Sequence, residues 1–493
     1  MSTTAVEGSA PTRPRTGEAR VWLGLVAGAF VVAGASLVLL PRGLGYDPWS
    51  WLVWGREIGH LALDTRHAAT AVKPLPVAVD VLLAPAGSAA PLLWLLVARA
   101  GALLSLALAF RLGRRLGGPV AGAAAVVGLL LADQYAGHLF VAGMSEPMAT
   151  GAVLAAADSL LRGRRRSTLV FLVAAGLLRP EAWPLLVLCC AWLAVTGRRR
   201  HWLLALLAVG VPAVWFAIDW FGARELSRSA EAASHQSQGG PLLSRVPGLA
   251  TFTETWSLAS GPVLVAFVVG LAGALLAWRR SGRPGPLVWL GATALGWVLV
   301  DAVLAQLRLA TGAPRYLLPA DGLACVVAGC LVADVVRRLR SRRVSTLGWW
   351  LLGLALVGVC VPAAVRVGGQ VGAAVDRGNA AQALQERLPA AIAAAGGRGH
   401  VLRCGPVSVG PFDAPAVAWQ LRVPVGSLRL ARRAVTGTVL ESGSPTVPHR
   451  AGFRLLAGGD DREDTWTVLS SCPPVSGGVS TGSTTSRPSA AAR

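Results

Sequence analysis

The sequence VWLGLVAGAFVVAGASLVLL (residues 21–40) is followed closely by GYDPWSWLVWGREIGHLALDTRHAATAVKPLP (residues 45–76). The first stretch is free of charged residues over about 20 positions, which is the length that crosses a bilayer as a helix. The second contains three carboxylates, two histidines and the only lysine of the chain, Lys73. This contrast predicts a membrane span that leads into a polar loop where chemistry could take place.

The rest of the chain repeats the apolar pattern. Of its 493 residues, 54% are apolar and only 14% are charged. Apolar runs of about 20 residues recur between short arginine clusters, a pattern that excludes an ordinary soluble protein and predicts an all-α polytopic membrane protein. The net charge of +21 would suggest nucleic-acid binding if the arginines covered a folded domain. Because many of them lie in short breaks between spans, we expect no nucleic-acid partner.

The arginine clusters predict how the chain is oriented in the plasma membrane. Positive charge in short loops favours the cytoplasmic side. Five clusters are therefore predicted to be cytoplasmic, at residues 111–115, 162–166, 198–200, 279–283 and 337–343. Residues 1–20, rich in Pro, Thr and Gly, are expected to form a disordered cytoplasmic tail.

These anchors predict a path of about eleven transmembrane segments within residues 21–368. The predicted spans are residues 21–40, 91–110, 119–132, 139–161, 201–220, 259–278, 286–305, 315–336 and 345–367. Residues 167–197 are too few for two full crossings and predict a pair of short helices broken at LLRPEAWP. The first loop, residues 41–90, and everything after residue 368 are then extracytoplasmic.

The exported tail divides by composition. Residues 378–395 predict a helix, and HVLRCG, FRLLAGG and TWTVLSSC predict short strands, so that residues 369–475 are expected to form a small α+β domain. Residues 476–493, rich in Ser, Thr and Gly, predict disorder. Cys404 and Cys472 are the only cysteines of this tail, and an oxidising compartment would allow them to form a disulfide.

The first loop predicts a helix and a short apolar piece. Asp47 and Pro48 fit an N-cap and a first-turn proline, and the tryptophans that follow, Trp49, Trp51 and Trp54, are expected at the lipid–water interface. Residues 74–88 are apolar, short and bounded by prolines, which predicts an interfacial or re-entrant segment. His60 and His67 are interpreted as exposed polar residues rather than ligands.

Several polar residues interrupt the apolar spans, where each is costly unless it is paired or hydrated. Arg99 lies midway along the second span, Arg179 and Glu181 flank Pro180, and Asp301, Arg315 and Asp321 lie in or beside later spans. They predict either internal ion pairs or a hydrated cavity that opens outward. Metal-binding cysteine spacing and a glycine-rich phosphate loop are both absent from the sequence, which argues against direct use of ATP.

Motifs along residues 20–370 resemble one known superfamily. They are Asp47 soon after the first span, Lys73-Pro74-Leu75-Pro76 at the end of the loop, LLWLLVARAGALLSLALAFRLGRRLGG (92–118), MSEPM (144–148), AAGLLRPEAWPLL (174–186) and APRYLLPA (313–320). In this order and on these predicted faces, they resemble the GT-C integral-membrane glycosyltransferases. The resemblance implies transfer of a sugar from a polyprenyl-phosphate donor to a glycan, lipid or protein acceptor during cell-envelope synthesis.

The resemblance also implies roles for individual residues. Such a transfer needs a base for the acceptor hydroxyl and cations for the departing phosphate. Asp47 is the implied base, unless it only caps the tryptophan-rich helix. The implied phosphate partners are Lys73, Arg315 and Arg99. Lys73 could instead be an interfacial anchor, Arg315 a helix cap, and Arg99 a structural partner of Glu146.

Trp49, Tyr316 and Arg179 are the implied substrate-lining residues. Many relatives carry paired acids in the first loop, whereas Asp47 is followed by Pro48, Trp49 and Ser50. The second acid would then be Glu57, Asp64 or Glu146, and the requirement for a divalent metal stays open. If the arginine-rich, lysine-poor composition reflects a GC-rich actinobacterial source, mannose or arabinose is a plausible sugar.

Two other classes of protein fit part of the pattern. A transporter or lipid flippase would also place polar residues at a broken helix such as LLRPEAWP. A non-catalytic envelope scaffold would use the exported tail and would not need Asp47. Against a transporter, an internal repeat is not evident, and the largest reactive cluster lies in an outer loop.

Overall fold

The computed structural model describes residues 16–66, 70–132, 135–196, 201–235, 241–258, 261–341, 345–410, 412–442, 452–458 and 465–473. His67, the arginine cluster at 198–200, residues 1–15 of the predicted N-terminal tail and the predicted tail at residues 476–493 lie outside these ranges. Residues 16–20, which were also predicted to be disordered, belong to the first helix, Thr16–Leu39. The chain divides into two compact units. Unit 1 comprises Met1–Ala383 with Pro424–Gly426, and unit 2 comprises Leu384–Val423 with Ser427–Arg493.

Unit 1 is built of helices. In chain order they are α1 (Thr16–Leu39), α2 (Tyr46–Gly59), α3 (Pro74–Leu83), α4 (Ala90–Gly117), α5 (Pro119–Leu130), α6 (Glu146–Leu161), α7 (Arg165–Leu178), α8 (Trp183–Thr196), α9 (His201–Ala223), α10 (Arg228–His235), α11 (Pro247–Leu258), α12 (Gly261–Ser281), α13 (Pro286–Gln306) and α14 (Leu318–Ser341). A long helix, α15 (Thr346–Ala394), starts in unit 1 and ends in unit 2. The predicted polytopic, all-α membrane fold is confirmed.

The described residues contain six helices that are long and apolar enough to cross a membrane. They lie within Ala19–Leu39, Pro74–Gly117, His201–Ala223, Gly261–Ser281, Pro286–Gln306 and Pro314–Ser341. The helices α5 to α8 have only 12 to 16 residues each, below the ~20 that a full crossing requires. The count of eleven segments therefore stays a prediction.

Small residues let the central helices approach closely. A Cβ atom on Gly113 of α4 would lie 2.8 Å from the Ala121 carbonyl oxygen of α5, and one on Gly122 would lie 2.6 Å from that of Phe110. The two helices are connected through Gly118, whose φ of +90° suits glycine. Close packing of this kind replaces the hydrophobic drive that is missing between helices in lipid. It places α4 and α5 beside α6 and α14, which hold part of the site.

The tryptophans of α2 do not lie at the lipid–water interface, contrary to prediction. Trp51 and Trp54 are fully buried and Trp49 nearly so, because α2 packs beneath α3 and α4. The Trp51 ring meets the Trp94 ring edge to face, with 5.3 Å between centroids. The helix also starts one residue before Asp47 and has Gly45 as its N-cap, so Asp47 does not cap it.

Two predicted breaks occur close to the expected positions. The helix pair at LLRPEAWP is confirmed, since α7 ends at Leu178, a short 3-10 helix covers Pro180–Ala182 and α8 begins at Trp183. Arg179 between them is extended, as expected for a residue that precedes proline. The span predicted at 139–161 begins later, at Glu146, because a π-helical turn at Tyr135–Leu139 and a turn before Ser145 come first.

The long helix α15 differs most from expectation. Residues 345–367 and 378–395 were predicted as a span and a separate helix, but 49 residues form one helix. The boundary between the compact units lies within it, at residue 384 rather than 369. A helix satisfies its own backbone hydrogen bonds in apolar and in polar surroundings, so the change from the apolar sequence of residues 345–367 to the more polar sequence after it does not require the helix to end.

Unit 2 is a small α+β domain, as predicted. Its five-stranded sheet has the order β2-β1-β3-β5-β4, formed by β1 (Val407–Val409), β2 (Arg429–Leu430), β3 (Thr438–Ser442), β4 (Arg454–Ala457) and β5 (Trp466–Ser470). The strands β2, β1 and β3 are parallel, and β5 pairs antiparallel with β3 and β4. The helix α17 (Ala414–Leu421) lies between β1 and β2 in sequence.

Two of the three predicted tail strands are correct, in FRLLAGG and TWTVLSSC, whereas the prediction for HVLRCG is wrong. That segment falls in the helix α16 (Gly397–Arg403) and the turn after it. Six residues are too few for periodicity to distinguish a strand from a helical turn. Cys404 follows α16 directly and forms a disulfide with Cys472 after β5, with 5.7 Å between the Cα atoms.

We expect Cys404→Ser to destabilise unit 2, because the disulfide closes a loop of 68 residues. Loop-closure entropy predicts a loss of about 4 kcal/mol in the free energy of unfolding. Pulse proteolysis of the full chain in detergent with increasing urea measures the change. Cys189→Ser, at a free cysteine of α8, is the control and should leave unit 2 unaffected; equal protease resistance of both variants would contradict the expectation.

Candidate functional site

A buried ion pair connects the first loop to α6. Lys73 precedes α3, and its Nζ donates hydrogen bonds of 2.9 Å to Glu146 Oε1 and 3.0 Å to Ser145 Oγ. The Lys73 side chain is only 6% exposed, and Nζ lies 4.9 Å from the centre of the Trp51 ring. Lys73 is therefore not a snorkelling anchor at the membrane edge but a buried partner of Glu146.

Three cations surround the Glu146 carboxylate. Besides Lys73, Arg179 Nη1 lies 3.6 Å and Arg315 Nε 3.8 Å from Oε1. Glu146 is fully buried in the first turn of α6, where the helix dipole also favours negative charge. A buried carboxylate needs such compensation, since an unpaired charge in this environment costs several kcal/mol.

Asp47 belongs to the same cluster. Its Oδ1 accepts a 3.0 Å hydrogen bond from Thr70 Oγ1, and its Oδ2 lies 3.6 Å from Arg315 Nη2. Arg315 thus stands between Asp47 and Glu146, in the short 3-10 helix Pro314–Leu317 that leads into α14. Of the candidate second acids, Glu146 is the one that the structure brings to Asp47 through a shared arginine.

Glu57 and Asp64 lie elsewhere. Glu57 is ten residues beyond Asp47 on α2, which separates them by about 15 Å along the helix axis. Its Oε2 accepts the Asp64 backbone N–H at 2.9 Å, and burial raises the pKa of this carboxyl to about 7. Asp64 is held by Arg66, with 2.9 Å between Oδ2 and Nη2. Neither acid is placed to act beside Asp47.

Arg179 is held by a two-point contact at the helix break. Its Nε and Nη2 donate to the Glu181 carboxylate at 3.2 and 2.7 Å. The guanidinium also stacks on Tyr316, with 3.6 Å from Cζ to the ring centre, while that of Arg315 lies 5.3 Å from the same ring. Arg179 and Glu181 were predicted to form either an internal ion pair or part of a hydrated cavity, and their geometry is that of an internal ion pair. Arg179 also faces Glu146.

Arg99 is not available to a phosphate, and its predicted pairing with Glu146 is wrong. The side chain is fully buried. Its guanidinium donates to the carbonyl oxygens of Ser36, Pro41 and Val141 at 3.0, 2.5 and 3.1 Å, and to Ser36 Oγ at 3.2 Å. Ser36 lies in the last turn of α1, and its carbonyl oxygen also accepts the Leu40 N–H at 2.9 Å. Arg99 therefore fastens the end of α1 to α4.

The predicted substrate-lining residues differ in position. Tyr316 lies between the two arginines of the cluster and is buried. Trp49 follows Asp47 by two positions on α2, so its side chain leaves the helix roughly 200° away from that of Asp47. His60 is exposed at the end of α2, as expected.

The ion pairs of the cluster join three cations to three carboxylates, and these six groups together carry no formal net charge; the buried carboxyl group of Asp301 lies beside Glu181. Lys73, Arg179 and Arg315 face Asp47, Glu146 and Glu181. The exposed fraction of the side chain decides which cation a ligand can reach: 20% for Arg315, against 6% for Lys73 and 4% for Arg179. Within the described ranges, His, Cys, Asp and Glu side chains do not converge in threes as metal ligands would.

Sequence reasoning missed Thr70 and Ser145, and did not place Glu181 in the site. Ser145 precedes Glu146 in the MSEPM motif, so that motif was an available signal. Thr70 has no neighbouring pattern that would single it out. It reaches Asp47 only because the loop between α2 and α3 folds back over the start of α2.

We expect Glu146→Gln to destabilise unit 1, because it removes the carboxylate that compensates buried Lys73. Removing one partner of a buried pair typically costs about 3–5 kcal/mol. Unfolding of the full chain in mixed SDS micelles measures the loss. Glu231→Gln, at an exposed acid that pairs with Arg228 on α10, is the control and should cost below about 1 kcal/mol. Equal losses in both variants would contradict a buried, compensating role for Glu146.

No protein-family model and no curated protein matches the sequence. Solved structures do resemble it. ArnT from Cupriavidus metallidurans, bound to undecaprenyl phosphate, aligns at 15% identity with a TM-score of 0.50, over 93% of this chain and 99% of ArnT. The apo form of ArnT aligns at 16% identity with a TM-score of 0.49, over 92% of this chain and 98% of that one.

The archaeal oligosaccharyltransferase AglB from Archaeoglobus fulgidus, in complex with an inhibitory peptide and a dolichol-phosphate, aligns at 11% identity with a TM-score of 0.47. That alignment covers 87% of this chain and 70% of AglB. The likeness to undecaprenyl-phosphate-bound ArnT extends over nearly the full length of both chains. The protein therefore has the fold of ArnT, which is the GT-C fold.

Proposed function

We propose that the protein is a membrane glycosyltransferase that moves a sugar from a polyprenyl-phosphate donor to an extracytoplasmic acceptor. The observation that carries this proposal is the position of Arg315. It lies 3.6 Å from Asp47 and 3.8 Å from Glu146, and it is the most exposed cation of the cluster. A carboxylate base and a phosphate-binding cation therefore stand side by side, as sugar transfer from a phosphate requires.

Arg315 is the proposed contact for the donor phosphate. A guanidinium can bind a phosphate through two parallel hydrogen bonds. Its two carboxylate partners lie at distances longer than a hydrogen bond, so a phosphate can compete with them for its N–H groups. Glu146 and Lys73 stay paired beneath it. Their role is to keep Arg315 in place and to balance charge as the sugar–phosphate bond breaks.

Asp47 is the proposed base. Thr70 orients one carboxylate oxygen, and the other faces Arg315. When the phosphate engages Arg315, this second oxygen is released to accept a proton. The acceptor hydroxyl gives its proton to Asp47 while its oxygen bonds to the sugar C1. The bond from C1 to the phosphate oxygen breaks, and polyprenyl phosphate leaves with the electron pair.

The proposed topology places this chemistry at the outer face of the plasma membrane. The first loop and unit 2 would be extracytoplasmic, and the N-terminus would be cytoplasmic together with the arginine clusters. The disulfide between Cys404 and Cys472 supports this side for unit 2, since such bonds persist in oxidising compartments. ArnT was solved with undecaprenyl phosphate, a lipid of the class proposed here for the donor carrier.

The transferred sugar is proposed to be a hexose or a pentose for the cell envelope, and the acceptor a glycan, a lipid or a protein. The alternative classes make different demands on the site. A transporter or flippase would need the broken helix to move, whereas Arg179 is held there by Glu181, Glu146 and Tyr316. A scaffold would not need Asp47 at all.

Asp47→Asn should abolish most transfer and leave folding intact, because the amide cannot accept the acceptor proton. Loss of a general base typically lowers the rate by about 10²–10⁴-fold. The measurement is sugar release from a labelled polyprenyl-phosphate donor in proteoliposomes. Asp64→Asn, at the acid that pairs with Arg66 in the same loop, is the control and should keep activity. Undiminished transfer by the Asp47 variant would refute its role as base.

Arg315→Gln should weaken binding of polyprenyl phosphate and slow transfer, because the bidentate contact to the phosphate is lost. We expect kcat/KM to fall by about 10²-fold, as on removal of one electrostatic donor at a reacting oxyanion. Arg308→Gln, at an exposed arginine seven positions earlier, is the matched control for charge. If both variants lose activity equally, bulk charge rather than a specific phosphate contact is responsible.

A further inference from the structure

A basic cluster, separate from the candidate site, lines a pocket near the start of α1 and the ends of α4 and α6. The pocket has a volume of about 400 Å³ and is lined by Arg111, Arg114, Arg115 and Arg162. Cavities of ~300–1,000 Å³ are the usual size of small-molecule sites. The volume is therefore sufficient for a bound headgroup.

The arginines are held in place by one buried acid. Asp158 of α6 has a 2% exposed side chain and forms ion pairs with Arg111 at 3.2 Å, Arg115 at 3.3 Å and Arg162 at 2.9 Å. Arg111 also lies over the Trp22 ring, 5.0 Å from its centre. Arginines that only orient a span in the membrane need to place positive charge in a loop. They do not need a buried acid and an aromatic ring that hold their guanidinium groups in place.

The charge of the pocket is unbalanced. Four guanidinium groups and one carboxylate leave a formal charge of +3. Arg114 is exposed and lies on the same face of α4 as Arg111 and Arg115, which follow the i, i+3 and i+4 spacing. This surplus contrasts with the neutral cluster around Glu146, and it favours an anion with several acceptor oxygens.

The other wall of the pocket is apolar. It is formed by Val21 and Leu25 of α1 and by Ala107 and Phe110 of α4, and Val21 is 48% exposed. These residues belong to the two helices that also lie within predicted membrane spans. A soluble phosphate would gain nothing from this wall, whereas the first carbons of an acyl chain would bury against it.

We propose that this pocket binds the phosphate headgroup of an anionic phospholipid, with the arginines contacting the phosphate and the α1–α4 wall contacting the acyl chains. Basic pockets between spans on the cytoplasmic side suit such lipids. The position is distinct from the proposed catalytic site. Val21 lines the pocket, whereas the chain leads to Asp47 from the other end of α1, at Leu39, which is 18 residues or about 27 Å of helix away. The proposal does not depend on the proposed transferase activity.

Native mass spectrometry of the full chain in detergent tests the proposal. Equal concentrations of phosphatidylglycerol and phosphatidylcholine are added, and the retained lipids are counted. We expect the wild type to retain one phosphatidylglycerol selectively. Equal retention of the two lipids by the wild type would overturn the proposal. Displacement of phosphatidylglycerol by millimolar inorganic phosphate would also overturn it, because the site would then be one for a free anion.

The double variant Arg114→Gln/Arg115→Gln should weaken retention of phosphatidylglycerol by about tenfold or more, from the loss of two contacts at the membrane surface. Arg111 and Arg162 still pair with Asp158 in this variant, so the fold has its anchor. Arg279→Gln/Arg280→Gln removes the same charge from the exposed end of α12 and should retain the lipid. Equal weakening by both double variants would overturn the assignment to this pocket.

Discussion

The compensation of one buried carboxylate, Glu146, organises the centre of unit 1. Its partners come from three separate parts of the chain: Lys73 from the end of the first loop, Arg179 from the break between α7 and α8, and Arg315 from the entry to α14. Because none of these charges is stable alone in a buried setting, each element is held to the others through Glu146. Asp47 joins the same arrangement through Arg315.

This arrangement connects stability to the proposed chemistry. The cations that would stabilise a departing phosphate are already fixed by carboxylates, so they do not need to reorganise during the reaction. In the proposed reaction, an incoming phosphate would displace carboxylates from Arg315 rather than enter an unpaired cationic site. Asp47 would be one of the displaced groups, which would couple donor binding to release of the proposed base.

Particular elements show where sequence reasoning succeeded and where it failed. The helix pair around Pro180 was predictable because proline excludes a helical neighbour before it, a local effect. The burial of Trp51 was not, since an interfacial tryptophan and one covered by α3 and α4 have the same local sequence. Arg99 was misassigned because its partners are backbone carbonyls, which leave no trace in the sequence.

By itself, the sequence determined the class of protein, the position of most helices and the set of polar residues from which a site could be built. Hydropathy, proline residues and clustered arginines determine local structure and membrane insertion over a few residues at a time. Their effect can therefore be predicted without knowledge of the fold. Only the tertiary structure decided which acid stands with Asp47. Glu57, Asp64 and Glu146 each carry a carboxyl group, and only the packing of α2, α6 and α14 brings Glu146 and Asp47 to one arginine and leaves the other two acids apart.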